Sequence, residues 1–177
     1  MTVQAPINFK KWIDDNRDKL KPPVGNQTIY KDKDFIVMVV GGPNARKDYH
    51  HNKGEEFFYQ IEGDINVRVM ENGRPKDIPL KQGEIFLLPA NLPHSPQRPA
   101  GSIGLVIERQ RNPDELDGFQ WYCEKCNSKI YEEYIPLKSI VDDLPKVFER
   151  FWSNPANCTC KKCGAVMQKP EPAKKAG

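Results

Sequence analysis

The sequence predicts a mainly β fold, an antiparallel sandwich or barrel with a few peripheral helices and a small cysteine-bearing appendage near its C-terminal end. Three observations lead there. Six or more short runs of strand character follow one another with turns between them and no helix intervening. The 16 prolines among 177 residues make turns frequent and long helices few. From about Asn112 the character changes, and two Cys-x-x-Cys pairs appear. The length suits one domain of ordinary size with an appendage, and it is too short for a two-domain dehydrogenase or a full α/β barrel.

Taken in order, the segment from Pro6 to Leu20 reads as a short helix. Phe9, Trp12 and Ile13 stand at i, i+3 and i+4, and Leu20 continues the same apolar face. Pro22, Pro23 and Gly25 break it. The run Phe35 to Val40, rich in β-branched residues, stops at Gly41-Gly42-Pro43. Glu56 to Glu62 and Ile65 to Met70 flank a Gly63-Asp64 turn. Glu71-Asn72-Gly73-Arg74 is a hairpin signal, because Asn-Gly accepts the positive φ angles of a two-residue turn. Ile78 to Leu80, Glu84 to Leu88 and Ser102 to Glu108 complete the strands. A helix from Leu137 or Lys138 to about Trp152 places Ile140, Leu144, Val147, Phe148 and Phe151 on one side, with Pro145 expected to restart or kink it. The expected division is a barrel over 1–111, an extension over 112–169, and a disordered Pro/Ala/Lys-rich tail over 170–177.

The net charge of +3 is a property of one end. From Lys161 onward five lysines stand against Glu171 alone, so the remaining residues are close to neutral. Composition therefore argues against a nucleic-acid groove. The longest aliphatic run falls far short of the ~20 apolar residues of a membrane span. Met1 to Lys11 lacks the apolar core of a signal peptide, so a cytoplasmic location is expected.

Only three histidines occur, and two of them fall in a pattern with a carboxylate. His50 follows the Gly-Gly-Pro turn, Glu56 opens an apolar strand, and His94 follows Gly83-x5-Pro89 by five residues. Two imidazoles and one carboxylate on neighbouring strands can hold one face of an octahedral iron(II) and leave the other open to substrate and oxygen. Strand alternation separates Glu56, Phe58 and Gln60 from Glu55, Phe57 and Tyr59, without saying which set faces inward. His51, beside His50, points the opposite way and is read as a surface residue or a neighbour of the site. Arg46 and Arg98, each four residues from a histidine, and Glu108, which ends an apolar strand, belong at the same barrel mouth. They make either an ion pair that closes the barrel or a pocket for a small aromatic anion, with Phe58 and Pro96 as walls.

The spacing resembles the cupin superfamily. Glu56-x6-Gly63 and Gly83-x5-Pro89 fit its two motifs, whereas Asn52 replaces a usual second histidine, Asn91 a glycine and Arg98 a closing asparagine. That spacing selects Glu56. The strings Leu20 to Asn26, Val39 to Asn44, Asp48-Tyr49-His50, Glu55 to Gln60, Leu87-Leu88-Pro89, His94 to Pro99, Val106 to Arg111 and Trp121-Tyr122-Cys123 resemble, more narrowly, the 3-hydroxyanthranilate 3,4-dioxygenase family. The resemblance runs from about Pro6 to Val166. It implies a cupin jelly-roll barrel and an iron(II)-dependent, extradiol-type, ring-cleaving enzyme on the route to quinolinate and NAD. It implies His50, Glu56 and His94 as iron ligands. Arg46, Arg98 and Glu108 would handle substrate and oxygen, and Asn26 would be a loop residue helping to close the site. A homodimer is also implied. The rivals are another small-molecule cupin enzyme and a non-enzymatic cupin sensor of an aromatic acid.

Cys123-x2-Cys126 and Cys160-x2-Cys163 form two paired hooks. Such hooks suit a tetrahedral metal, zinc or rubredoxin-type iron, more than disulfides or free thiols. Cys158 has the wrong spacing for a hook and is left out of the set. A structural role is expected, since no catalytic group surrounds the cysteines; microbial members of the family carry such a site.

Overall fold

The computed structural model describes residues 5–21, 25–30 and 34–171. The chain opens with helix α1 (Phe9–Asn16), capped where the Asn8 side chain accepts from the Lys11 backbone N–H, and a 3₁₀ turn over Arg17–Leu20. Eleven strands follow: β1 (Asn26–Tyr30), β2 (Phe35–Gly41), β3 (Asp48–His51), β4 (Glu56–Glu62), β5 (Ile65–Glu71), β6 (Arg74–Leu80), β7 (Ile85–Leu88), β8 (His94–Gln97), β9 (Ile103–Arg109), β10 (Asp117–Tyr122) and β11 (Lys129–Ile135). Helices α2 (Ile140–Trp152) and α3 (Pro155–Cys158) end the ordered elements.

The strands make two antiparallel sheets, ordered β1-β2-β9-β4-β7 and β11-β10-β3-β8-β5-β6. From β2 to β9, successive strands are dealt between the sheets in the jelly-roll order, β2-β9-β4-β7 against β3-β8-β5-β6. Alternation along each strand then makes the core. Met38, Phe58, Val67, Val69, Leu88 and Val106 point between the sheets and are buried together. Their neighbours point out. Val39 and Ile103 are covered by Ile13 of α1 and by Leu20, with Leu105 packed against them.

The hairpin at Asn72-Gly73 forms as expected, with φ of 51° and 74° and β5 paired to β6 through Glu71 and Arg74. Asn91 takes φ of 61°, the left-handed geometry expected where the motif has glycine. Helix α2 runs through Pro145 as one element rather than restarting there. Of its expected apolar face, Leu144, Val147, Phe148 and Phe151 pack against Phe119 and Trp121, the Trp121 and Phe151 rings stacking at 4.2 Å. The side chain of Ile140 lies outside the described residues, as do Pro22, Pro23, Val24 and the tail beyond residue 171.

Five strands lack a clear sequence signal: β1, β3, β8, β10 and β11. β3 and β8 are four residues long, β8 contains Pro96, β11 mixes three charged residues with its apolar ones, and β10 opens on Asp117-Gly118. Asn26, expected in a loop, is the first residue of β1 and pairs with Val40. The change of sequence character near Asn112 falls just before β10, and β10 lies beside β3 within the six-stranded sheet.

Candidate active site

The two sheets bring His50, Glu56 and His94 together from opposite sides. His50 of β3 is directly paired with His94 of β8 in one sheet, and Glu56 opens β4 in the other. One ligand atom from each lies within 4.8 Å of the others. Glu56 Oε1 is 3.4 Å from His50 Nδ1 and 3.3 Å from His94 Nε2.

The remaining ring nitrogens are held by acceptors. His94 Nδ1 lies 3.0 Å from the Leu92 carbonyl, and His50 Nε2 lies 2.7 Å from Asp117 Oδ2. A carbonyl and a carboxylate can only accept, so each ring keeps a proton on that side, and the nitrogen toward Glu56 is the one left for a metal once any proton there is displaced. These are the tautomers that a metal ion requires, and the donor set of two imidazoles and a carboxylate fits iron(II).

Asn52 has a part that its identity does not suggest. It replaces a usual ligand, yet it is buried, and its amide donates to Glu56 Oε1 at 2.8 Å and to Glu108 Oε2 at 3.3 Å. Glu108 stands opposite Glu56 in the β4–β9 register, so alternation sends both carboxylates to one face. Burial, and then the charge of Glu56, push the Glu108 carboxyl above its ordinary value, against the opposing pull of Arg111. Glu56 itself is held well below its ordinary value: burial opposes ionisation, but the two imidazoles outweigh it.

Neither arginine expected to face Glu108 pairs with it. Its ion-pair partner is Arg111, at 2.9 Å. Arg46 instead forks onto buried Asp48, with Nε at 3.1 Å from Oδ1. Arg98 is 3% exposed and has no carboxylate partner among the described residues; its side-chain contact there is to Gln60 Oε1 at 3.3 Å. Burial, and then the positive charge of Arg46, push its guanidinium down to about 10, so it stays charged at neutral pH. Gln60 is aimed by its own amide, which donates to the carbonyls of Glu62, Gly63 and Ile103. The guanidinium fits because residue 104 is glycine: a Cβ there would stand 2.9 Å from Arg98 Nη1. Phe58, in the core, sets its ring edge to His94 at 6.5 Å, and Pro96 shares the inward face of β8 with His94. His51 points away and meets the edge of Tyr134.

Sequence reasoning missed Asp117, Arg111, Asp48 and Gln60 as parts of this site. Asp117 lies 67 residues from His50, and only the pairing of β10 with β3 brings them together.

The four hook cysteines form a second cluster, Sγ of Cys123 and Cys163 being 3.5 Å apart and those of Cys126 and Cys160 3.6 Å. Tetrahedral thiolates at ~2.3 Å from zinc or iron would stand ~3.8 Å apart, so the set fits. The hooks share one backbone pattern. The fourth residue after the leading cysteine, Asn127 or Gly164, has positive φ and donates to that cysteine's carbonyl. The leading cysteine in turn donates to the carbonyl of the next residue, Ser128 or Ala165. Cys158 stays outside, buried against the carbonyl of Phe151.

A pH dependence of metal loading follows. Burial disfavours the charged form of His50, but its bonds to Asp117 and Glu56 outweigh that and raise it from 6.5 to about 9. In the metal-free protein this proton adds stability below pH 6.5, and the gain is lost as pH rises through about 9. A metal must displace it, so divalent-metal affinity should climb roughly tenfold per pH unit over that window and then level off. A flat titration across it would show that His50 holds no such proton.

Against known proteins, the family described as 3-hydroxyanthranilic acid dioxygenase matches residues 1–152. A 3-hydroxyanthranilate 3,4-dioxygenase of Xanthomonas euvesicatoria pv. vesicatoria is 56% identical over 166 residues, 94% of each chain. Another of that name, from Paraburkholderia phytofirmans, is 50% identical over 167 residues, 94% of this chain and 96% of the other. Among solved structures, a cupin-2 domain protein of Shewanella frigidimarina aligns with TM-score 0.46 and 20% identity, over 59% of this chain and 94% of the other.

Proposed function

The chain belongs to the 3-hydroxyanthranilic acid dioxygenase family, and from that premise we propose that it opens the ring of 3-hydroxyanthranilate with both atoms of O2. The product is 2-amino-3-carboxymuconate semialdehyde, which closes to quinolinate on the way to NAD. Ring opening falls between the hydroxyl-bearing carbon and its neighbour on the side away from the amine. One oxygen atom ends in the new carboxylate and the other in the aldehyde.

The observation that carries this reading is Arg98, a buried cation with no anion beside it among the described residues. An unpaired charge in such a place is costly unless a ligand satisfies it. The surrounding charges agree. Once a metal has displaced the His50 proton, buried Asp48, Glu56, Glu108 and Asp117 against Arg46, Arg98 and Arg111 leave one excess negative charge when all are ionised. A divalent cation reverses the excess, and a monoanionic substrate cancels it. A neutral sugar would not.

Iron(II) held by His50, Glu56 and His94 would supply electron transfer between the chelated aminophenol ring and O2. The protein does the rest. Arg98 takes the substrate carboxylate through its fork, and Gln60 holds that fork in place. Glu108 receives the hydroxyl proton, for which its raised pKa suits it. Arg46, held in place by its fork on Asp48, lies close enough to Glu56 to feel its charge and would stabilise negative charge that develops on oxygen. Phe58 and Pro96 wall the pocket. The four-cysteine cluster takes iron or zinc as a structural site. Its unbridged thiols fit a reducing compartment, which supports the cytoplasm.

The test is oxygen consumption by the iron(II)-loaded protein with 3-hydroxyanthranilate, followed beside the absorbance of the ring-opened product. One O2 taken up per product is expected. Tight binding of substrate without oxygen uptake would reject the enzyme in favour of a sensor.

We also propose a homodimer. Tyr59, Ile85 and Leu87 are 37%, 65% and 54% exposed and lie side by side on the outer face of β4 and β7, the latter an edge strand. An apolar band of this kind supports contact with a second copy of the chain. Light scattering should give twice the 20.3 kDa chain mass, and Ile85→Lys with Leu87→Lys should halve it. A monomeric parent protein would refute the pairing.

A further inference from the structure

We infer that Asp117 and Arg111 are positioning residues that bind the metal-facing side chains and the proton-accepting carboxylate into one closed polar ring. This rests on the reading of His50 and Glu56 as metal ligands. The ring can be followed atom by atom. His50 Nε2 donates to Asp117 Oδ2 at 2.7 Å. Arg111 forks onto both oxygens of Asp117, Nε at 3.0 Å and Nη2 at 2.7 Å, and the same Nη2 reaches Glu108 Oε2 at 2.9 Å. Asn52 then spans Glu108 and Glu56, at 3.3 and 2.8 Å. Glu56 Oε1 lies 3.4 Å from His50 Nδ1 and closes the circuit.

The members come from β3, β4, β9, β10 and the turns between them, and all are buried or nearly so. Arg111 and Asp117 face each other because the turn joining their strands is pinned. Arg109 holds Glu115 by two contacts of 2.6 Å, and Glu115 accepts from the Asn112 backbone N–H at 2.9 Å.

The chemistry of each link sets what the ring does. Asp117 accepts only, so it keeps the His50 proton on Nε2 and leaves Nδ1 as the coordinating atom. The planar guanidinium of Arg111 cannot shift toward Glu108 without loosening its fork on Asp117. A displacement of Glu108 as substrate arrives is therefore felt at His50, and the orientation of the ligand and that of the proton acceptor are set by one side chain.

The test is Co(II) titration of the full chain against a competing chelator, without substrate or oxygen. Asp117→Asn should weaken Co(II) about 10- to 100-fold, the usual effect of removing a carboxylate behind a histidine ligand. Arg111→Gln, which touches no ligand, should weaken it about threefold or more, and Arg111→Lys should not restore it. The effects of Asp117→Asn and Glu108→Gln should be non-additive in the parent and additive once Arg111 is glutamine. The ring is wrong if Asp117→Asn binds Co(II) as tightly as the parent does. Additive effects in the parent would overturn it equally, and if Asp117→Asn does not fold, the Arg111 variants decide alone. A His50→Ala variant with parent-like Co(II) binding would instead strike the ligand reading beneath it.

Discussion

Glu56→Ala should lose metal and oxygen uptake together. Glu56 is the one anion among the three convergent side chains, 5% exposed, with both imidazoles within 3.4 Å of the same oxygen. Removing one partner of a buried charge cluster costs roughly 3–5 kcal/mol. That is about two to three and a half decades of metal affinity at 1.4 kcal/mol per decade. The variant also leaves the Asn52 amide without its shorter acceptor, so Glu56→Gln is the companion. It keeps a carbonyl for Asn52 and most of the shape but none of the charge, and should recover folding stability without recovering metal. Metal content after gel filtration and oxygen uptake with 3-hydroxyanthranilate read the two effects. A purified Glu56→Ala variant with full metal occupancy and parent turnover would remove Glu56 from the ligand set.

Arg98→Met should separate substrate binding from stability. In the free protein the guanidinium is buried, close to Arg46 and bonded to an amide rather than a carboxylate. Replacing it with an apolar chain of similar length removes an uncompensated charge, so thermal stability should hold or rise. With substrate bound the sign reverses. The carboxylate would enter a buried pocket with no counter-charge, and losing one member of a desolvated ion pair costs about 2–5 kcal/mol. That corresponds to a fall in kcat/KM of roughly 30- to several-thousand-fold, expressed mainly in KM because Arg98 is not among the metal-facing groups. A benzene-ring analogue without the carboxylate should be affected far less by the variant. A marked drop in melting temperature, with unchanged KM, would make Arg98 a structural residue and remove the main support for an anionic substrate. Gly104→Ala tests the same geometry from β9, since its Cβ would press on both the guanidinium and the Gln60 oxygen that holds it.

How much of this was legible follows the range of the interactions. The metal-facing residues were readable because each sits in a local pattern: His50 past a Gly-Gly-Pro turn, Glu56 seven residues before Gly63, His94 five past Pro89. The four cysteines were readable because each hook is a few residues of backbone closing on itself. The partners of those groups were not. Arg46 and Arg98 looked equivalent, each four residues from a histidine, yet one is paired with Asp48 and the other meets only the amide oxygen of Gln60 among the described residues. Nothing within a few residues of Arg98 distinguishes them. Arg46 has Asp48 two residues on, whereas Arg98 is met from the other sheet, by Gln60 of β4 and Gly104 of β9.

Asn52 shows the limit most clearly. In the sequence it reads as a ligand lost. In the fold it bridges Glu56 and Glu108, because the turn after β3 passes over the end of the β4–β9 pair. By itself, then, the sequence determined the strand-rich class, the two sets of candidate ligands and the family, all consequences of short spacings and residue chemistry. Tertiary structure alone decided which nitrogen of each histidine is turned toward Glu56, which carboxylates Arg111 holds, and which of Arg46 and Arg98 has no carboxylate partner among the described residues. Some of these partners stand close in the sequence, Leu92 two residues from His94 and Glu108 three from Arg111, but which groups meet is set by the folded turns and by register between strands such as β3 and β10, and register follows from burying one face of every strand at once.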